Sequence, residues 1–326
     1  MYFALRRIGA ALITLFLVSV FSFLAFSVIR GDPVTFALGL DATEEQIEAL
    51  QRELGLDRSL PVRYLGWLGG LLSGDLGHSM RFQGAPISSL ILERLPVSFF
   101  LALLSLCLTL IIAVPVSLFS VRRENGLVDK AAGVCTAVGI SVPNFFLGIL
   151  FIWIFGIGLR LFNVGVYVDY RVDFAGFIRS LFFPALAIAV PNAAMLAKFL
   201  RSSLFKEQRA DYFRTARSKG ASFPFALRRH ALRNALVPSV TMMGMIVAET
   251  FSGSIIIEQV FAVPGLGRLL IAAITSRDYP VIQILVVLIA FVVIVANTLV
   301  DIAIQVIDPR IKLERERQKA TPLRQA

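Results

Sequence analysis

Two acidic residues stand inside otherwise apolar stretches of this sequence. Glu249 lies between Asn234 and Ile257, and Asp301 lies late in the run from Tyr279 to Ile307. An ionisable group in such a setting is costly, so it marks a functional position by default. Glu249 suits either of two tasks: holding a cationic cargo group in a pathway, or pairing with a base on a neighbouring subunit. Asp301, one turn beyond Asn297, reads more simply as a capping or bridging group. Together the two acids also define a rival reading, a proton relay in an ion-coupled transporter. Cys107 and Cys135 sit in apolar runs and read as small buried hydrophobes. The chain has no GxxxxGK[ST] to cradle a nucleotide's phosphates, no HExxH, no GxSxG and no zinc-type cysteine pattern. It therefore carries no predicted catalytic residue, metal site or cofactor of its own. If it performs work, it borrows the energy.

Composition places these residues. The 326 residues are 57% hydrophobic and 17% charged, with mean hydropathy +0.77, against about 45–50% and about 25% in soluble domains. That excludes an ordinary soluble globule, and high hydrophobicity excludes disorder. An all-α polytopic membrane protein remains. Charge-poor runs of spanning length predict six transmembrane helices: Ile8–Ile29, Leu95–Val121, Ala131–Leu159, Leu181–Ala197, Asn234–Ile257 and Tyr279–Ile307. Six spans put both termini on one side. That side holds 21 of the 32 Lys and Arg residues, so the positive-inside rule predicts cytoplasmic termini. The net charge of +10 then reflects cytoplasmic loops beside lipid headgroups, and no nucleic acid partner is expected. His78 and His230 fall on opposite sides and cannot share an ion.

The organisation follows: residues 1–30 as N-terminal tail and first span, 31–94 as an extracytoplasmic loop, 95–307 as a five-helix core and 308–326 as a cytoplasmic tail. In the external loop, Thr43 followed by Glu44, Glu45 and Gln46 predicts a capped helix to Glu53. Pro61 starts another over Val62–Leu72, interfacial or docked on the bundle. The cytoplasmic loop 198–233 is the densest basic segment. A helix is predicted over Lys206–Lys219, ended by Gly220, and Ser222 with Pro224 starts a second. Phe205, Tyr212, Phe213 and Ala216 interleave its bases. On pattern alone, two readings stay open: a lipid-headgroup anchor and a protein-docking helix pair.

The run Asp211-Tyr-Phe-Arg-Thr-Ala-Arg-Ser-Lys-Gly220, followed by Arg229-His-Ala-Leu-Arg-Asn234, resembles the EAA loop of ATP-binding-cassette (ABC) importer permeases. More narrowly it resembles the dipeptide/oligopeptide/nickel branch, of the first-permease type. Gly220 stands at the family's glycine and Leu232 at its leucine. His230 and Arg233 replace an aliphatic residue and a proline, departures that the peptide branch makes. Gly31-Asp-Pro33, Glu53-Leu-Gly-Leu-Asp57, Gly74-Asp-Leu-Gly77, Gly139-Ile-Ser-Val-Pro-Asn144, Val263-Pro-Gly-Leu-Gly-Arg268, Arg277-Asp-Tyr-Pro280 and Asp308-Pro-Arg-Ile311 follow the same branch in order.

The resemblance implies a type I ABC importer permease fold in the cytoplasmic (inner) membrane. It implies a second homologous permease, two ATP-binding subunits that carry ATP and Mg, and an extracytoplasmic solute-binding protein. The cargo would be dipeptides or oligopeptides, with nickel or another metal chelate, or glutathione, as alternatives. Asp211–Gly220 would be the coupling helix. Tyr212 and Phe213 would be buried anchors, Ala216 would allow close approach, Arg214 and Arg217 would meet acids on the ATPase, and Gly220 would let the chain turn. Pro143, Asn144, Glu249, Ser252 and Ser254 are candidates to line the translocation pathway. Plain helix packing is the competing account of Gly244, Ser252, Gly253 and Ser254.

Overall fold

A computed structural model describes residues 2–28, 43, 45, 58–82, 84–122, 124 and 126–307. Among them the regular structure is helical, apart from one antiparallel bridge between His78 and Pro86. The helices are α1 (Tyr2–Val28), α2 (Leu60–Ser73), α3 (Ile87–Ser120), α4 (Leu127–Ser141), α5 (Asn144–Phe151), α6 (Phe174–Gln208), α7 (Asp211–Ser218), α8 (Phe223–Ala226), α9 (Leu232–Val260), α10 (Leu266–Ser276) and α11 (Tyr279–Ile307). A π-helical stretch, Ile152–Gly158, continues α5, and another, Leu227–Ala231, joins α8 to α9. The helix predicted from Thr43, the motifs at 31–33, 53–57 and 308–311, and the side chain of Asp301 lie outside the described residues.

Four helical stretches are long and apolar enough to cross a bilayer: Arg6–Phe26, Ile87–Ser120, Phe174–Gln208 and Tyr279–Val300. The third predicted span is broken, because Leu127–Ser141 and Asn144–Gly158 meet at 100°. The pair counts as a fifth candidate if it forms one span. Pro143 explains the break: it disfavours helical backbone at Val142, which is extended (ψ 121). The fifth predicted span, Asn234–Ile257, falls within α9 (Leu232–Val260). Two helices outrun their apolar runs. α3 begins at Ile87 rather than Leu95, and its 34 residues measure about 50 Å at 1.5 Å per residue. α6 extends from Phe174 to Gln208. Charged ends disguise such helices as loops when spans are sought by absence of charge.

The chain divides into two units, residues 1–99 with 262–294 and residues 100–261 with 295–326. In the first, α2 starts with Pro at its first turn and stops at Gly74 in the left-handed conformation (φ 86). It docks on α1, which resolves its two predicted settings. The Tyr64 and Ser19 hydroxyls hydrogen bond at 2.8 Å, Phe23 meets Tyr64 edge-on at 5.4 Å, and Trp67 and Leu71 pack on a core of Ile87, Leu269, Val281 and Leu285. Asp278 is wholly buried. Its carboxylate accepts from Ser79 Oγ at 2.5 Å and from the backbone N–H groups of Met80 and Arg81 at 3.3 and 3.2 Å. The preceding residue, Arg277, turns the chain with φ 55.

In the second unit, α6 is the central helix. Pro184 and Pro191 lie inside it, and Ala185, Ala189, Ala193, Leu196 and Ala197 are buried. Asn192 donates to Thr250 Oγ1 at 3.2 Å, linking α6 to α9. Cys107 and Cys135 are exposed rather than buried. A helix that crosses lipid turns apolar residues outward without cost, so apolar context does not predict burial within the protein.

Candidate coupling site

The helix predicted over Lys206–Lys219 is two helices. α6 runs to Gln208, Arg209 and Ala210 leave the helix, and Ala210 is extended (ψ 148) as the residue before α7. Asp211 in the first turn and Arg217 in the last match the helix dipole. The far end closes as a Schellman turn: Gly220 N–H donates to Arg217 O at 3.0 Å and Ala221 N–H to Ala216 O at 3.2 Å. Gly220 has φ +88, a conformation that strains any residue with a Cβ. α7 is thus a two-turn element separated along the chain from the helices before and after it by abrupt turns.

Its faces differ. Phe213 is 4% exposed and packs in a cluster with Leu200 and Leu204 of α6 and Leu227, Ala231 and Ala235 beyond α8. Its ring meets Phe223 edge-on at 5.9 Å. Phe213 therefore anchors α7 to its own chain. This corrects its assignment as an anchor for a partner: the apolar side of an amphipathic helix turns toward the core that the chain itself supplies. Tyr212 is 37% exposed. Its hydroxyl donates to the Glu207 carboxylate at the end of α6. Burial, and then the Glu207 contact, push its phenol up to about 12. Arg217 is engaged internally: it donates to Ala221 O at 2.7 Å and lies over Phe223 at 6.0 Å. Asp211, Arg214 and Lys219 are exposed and form no ion pair among the described residues. Ala216 is half-buried. His230, also exposed, meets Phe225 edge-on at 6.2 Å.

The pathway candidates separate. On α9, Met245, Glu249, Ser252 and Ile256 are exposed and follow one helical stripe. Ser254 is buried, with its hydroxyl donating to Phe251 O at 2.9 Å, so it does not share that face. Pro143 precedes α5, and Asn144 accepts from Phe145 N–H at 2.8 Å. Asn144 lies against α9 at Gly253, where a Cβ would come within 2.5 Å of Asn144 Nδ2. Packing accounts for Gly253 and Ser254, while Glu249 and Ser252 face outward.

Sequence reasoning passed over three buried acids. Asp278 belonged to a quoted motif, but its acceptor role needs Ser79, 199 residues away. Glu258 is fully buried in the last turn of α9; one residue beyond the apolar run, it looked like a span boundary. Asp129 is 3% exposed in the first turn of α4. It accepts from Ser120 Oγ at 2.8 Å and from Arg201 Nε at 2.7 Å. Among the described residues, no cluster of His, Cys, Asp or Glu is placed to hold a metal ion.

A chain of long apolar helices, with a helix pair bent by 100° at 142–143 and a basic helix pair packed on α6, agrees with what the sequence matches. Residues 105–313 match the family described as binding-protein-dependent transport system inner membrane component, and residues 1–102 match its N-terminal family. The chain belongs to this family of ABC transporter permeases. A probable peptide ABC transporter permease protein of Sinorhizobium fredii is 38% identical, covering 95% of this chain and 99% of its own. A putative peptide transport system permease protein of Brucella abortus is 37% identical, covering 95% and 98%. The oligopeptide transport system permease protein AppB of Bacillus subtilis is 34% identical, covering 95% and 99%.

Proposed function

We propose that this chain is one of two permease subunits of an importer that carries dipeptides or oligopeptides across the cytoplasmic membrane. ATP hydrolysis on two partner subunits drives it, and a solute-binding protein delivers the cargo. Three relatives named for peptide transport, each matched over nearly its full length, support the cargo class. In this reading the chain spans the membrane six times, α9 included, with both termini in the cytoplasm.

The observation that carries the coupling role is the division of labour on α7. Phe213 fixes the helix to α6 and α9, while Asp211, Arg214 and Lys219 point outward. An ATP-binding subunit seats on that outer face, with acids opposite Arg214. When nucleotide closes the ATPase pair, α7 moves as a rigid body and the buried Phe213 carries α6 with it. Rocking of the two permeases then alternates access to a midplane pathway. Glu249 and Ser252 contribute to that pathway, where the carboxylate meets the peptide's ammonium. A carboxylate facing hydrocarbon would cost about 3 kcal/mol or more, which favours a wet or protein-covered setting for the stripe.

The test is mass spectrometry of what copurifies with the tagged chain from its native membrane in mild detergent, followed by identification of the ligand eluted from any binding protein. Two ATP-binding subunits, a second permease and a peptide-loaded binding protein support the reading. A chain that emerges alone yet sustains uptake into vesicles refutes it.

A further inference from the structure

We infer that Asp129 and Arg201 form a coupling strut: two positioning residues that pass displacement of α7 to α4, and so to the break at Val142 and Pro143. The inference rests on the proposed seating of an ATPase on α7.

The geometry is continuous within one unit. Phe213 shares its cluster with Leu200 and Leu204. Arg201 lies between those leucines in sequence, and its guanidinium covers the ring of Phe205 at 5.1 Å. Phe205 packs on the same cluster. Arg201 then reaches out of the cluster to α4, with Nε and Nη2 both at 2.7 Å from Asp129 Oδ1. Ser120, the last residue of α3, donates to the same oxygen at 2.8 Å. One carboxylate oxygen thereby gathers the end of α3, the start of α4 and the part of α6 that carries the α7 anchor.

The connection continues beyond Asp129. α4 packs closely on α6 higher up, where a Cβ on Gly139 would come within 2.7 Å of Ala194 Cβ. Three residues later the helix breaks by 100°. On the far side of the break, Asn144 abuts Gly253 of α9, the helix whose outer stripe carries Glu249. A push on α7 that shifts α6 pulls the start of α4 through a charged link and turns it about the break.

The chemistry of the link argues for this role over simple stabilisation. The Asp129 side chain is buried and that of Arg201 one-third exposed; taking such a carboxylate out of water offsets much of the pair's attraction, so apolar side chains of the same volume are often as stabilising. The pair is, however, directional: a guanidinium on a carboxylate has few good geometries and resists sliding. Asp129 also lies in the first turn of α4, where the helix dipole favours a carboxylate.

The test uses the transporter purified with its copurifying subunits and reconstituted in vesicles. A 14C-labelled peptide pool from a casein digest is the transport probe, and the readout is peptide imported per ATP hydrolysed. Asp129→Asn keeps the shape and an acceptor for Ser120 but removes the charge. It should lower that ratio roughly 3- to 30-fold while the ATPase subunits remain bound. Arg201→Lys, which keeps the charge and loses the fork, should fall between, and Asp129→Glu should restore part of the ratio. Ratios for Asp129→Asn and Arg201→Lys equal to the unaltered transporter would overturn the strut, as would losses that track only the amount of assembled complex. Arg214→Ala separates this from failure of the underlying reading. If Arg214→Ala also leaves ATPase retention and the ratio intact, the seating on α7 is wrong. If it cuts both while Asp129→Asn changes nothing, only the strut is wrong.

Discussion

The α7 segment and the turn around Asp278 both interrupt the chain between helices, and they treat charge in opposite ways. At the turn, Asp278 is withdrawn from solvent and accepts from Ser79, Met80 and Arg81. Nothing about that carboxylate is left for a partner. On α7 an apolar side chain, Phe213, is withdrawn, and the charges of Asp211, Arg214 and Lys219 stay outside. The contrast separates a charge that specifies a fold from charges available for docking. Buried polar groups need local partners, whereas exposed ones contribute little to stability.

The comparison can be broken by mutation, and the expected effects descend in size. Phe213→Ala should cost about 3–5 kcal/mol of local stability, seen as rapid hydrogen exchange across α7 and loss of retained ATPase subunits; unchanged exchange would show that the cluster does not hold the helix. Asp278→Ala should orphan the Ser79 hydroxyl and the Met80 N–H, while the Arg81 N–H keeps Ser79 Oγ as acceptor at 3.1 Å, and cost about 3 kcal/mol, each orphaned donor being worth about 1–3 kcal/mol. Thermal unfolding in detergent should record the drop, with Asp278→Asn less severe. Gly220→Val should store about 1–3 kcal/mol of strain at its positive φ. It should reduce uptake while membrane insertion, read by fractionation, stays normal. Arg214→Ala should alter thermal stability by no more than about 0.5 kcal/mol yet release the ATPase subunits.

The smallest effect is ionic. The Tyr212 phenol is pushed up to about 12 from an ordinary 10.0, so folding favours its neutral form. That contribution is complete below pH 10 and fades as pH climbs toward 12. A difference titration of phenolate absorbance against Tyr212→Phe should show one phenol ionising near pH 12. Ionisation at the ordinary value would mean that neither burial nor the Glu207 contact holds the phenol neutral.

Much of this architecture is legible in the sequence because spanning a bilayer imposes length and apolarity. Helix ends are less so. Glu93 and Arg94 sit inside α3, yet a search for charge-free runs stops at them. The α6–α7 break is also obscure, since Arg209 and Ala210 are good helix formers; what separates the helices is tertiary, the demand that Phe213 face the cluster. Gly220 was readable because a left-handed turn leaves little choice of residue. Asp129 with Arg201 and Asp278 with Ser79 were not readable, because pairings across 72 and 199 residues leave no local periodicity. Glu249 stands out in any apolar run, but only the helix shows it on the same face as Ser252 and away from Ser254.

The most direct test of the account is cross-linking from the outer face of α7. Arg214→Cys, in a chain also carrying Cys107→Ser and Cys135→Ser, would be coupled to a benzophenone maleimide and photolysed in native membranes. The account predicts an adduct with an ATP-binding subunit, formed from position 214 and absent from a cysteine placed at Leu12 on the exposed face of α1. An adduct only with lipid or with the second permease, while the ATPase subunits remain bound elsewhere, would contradict it.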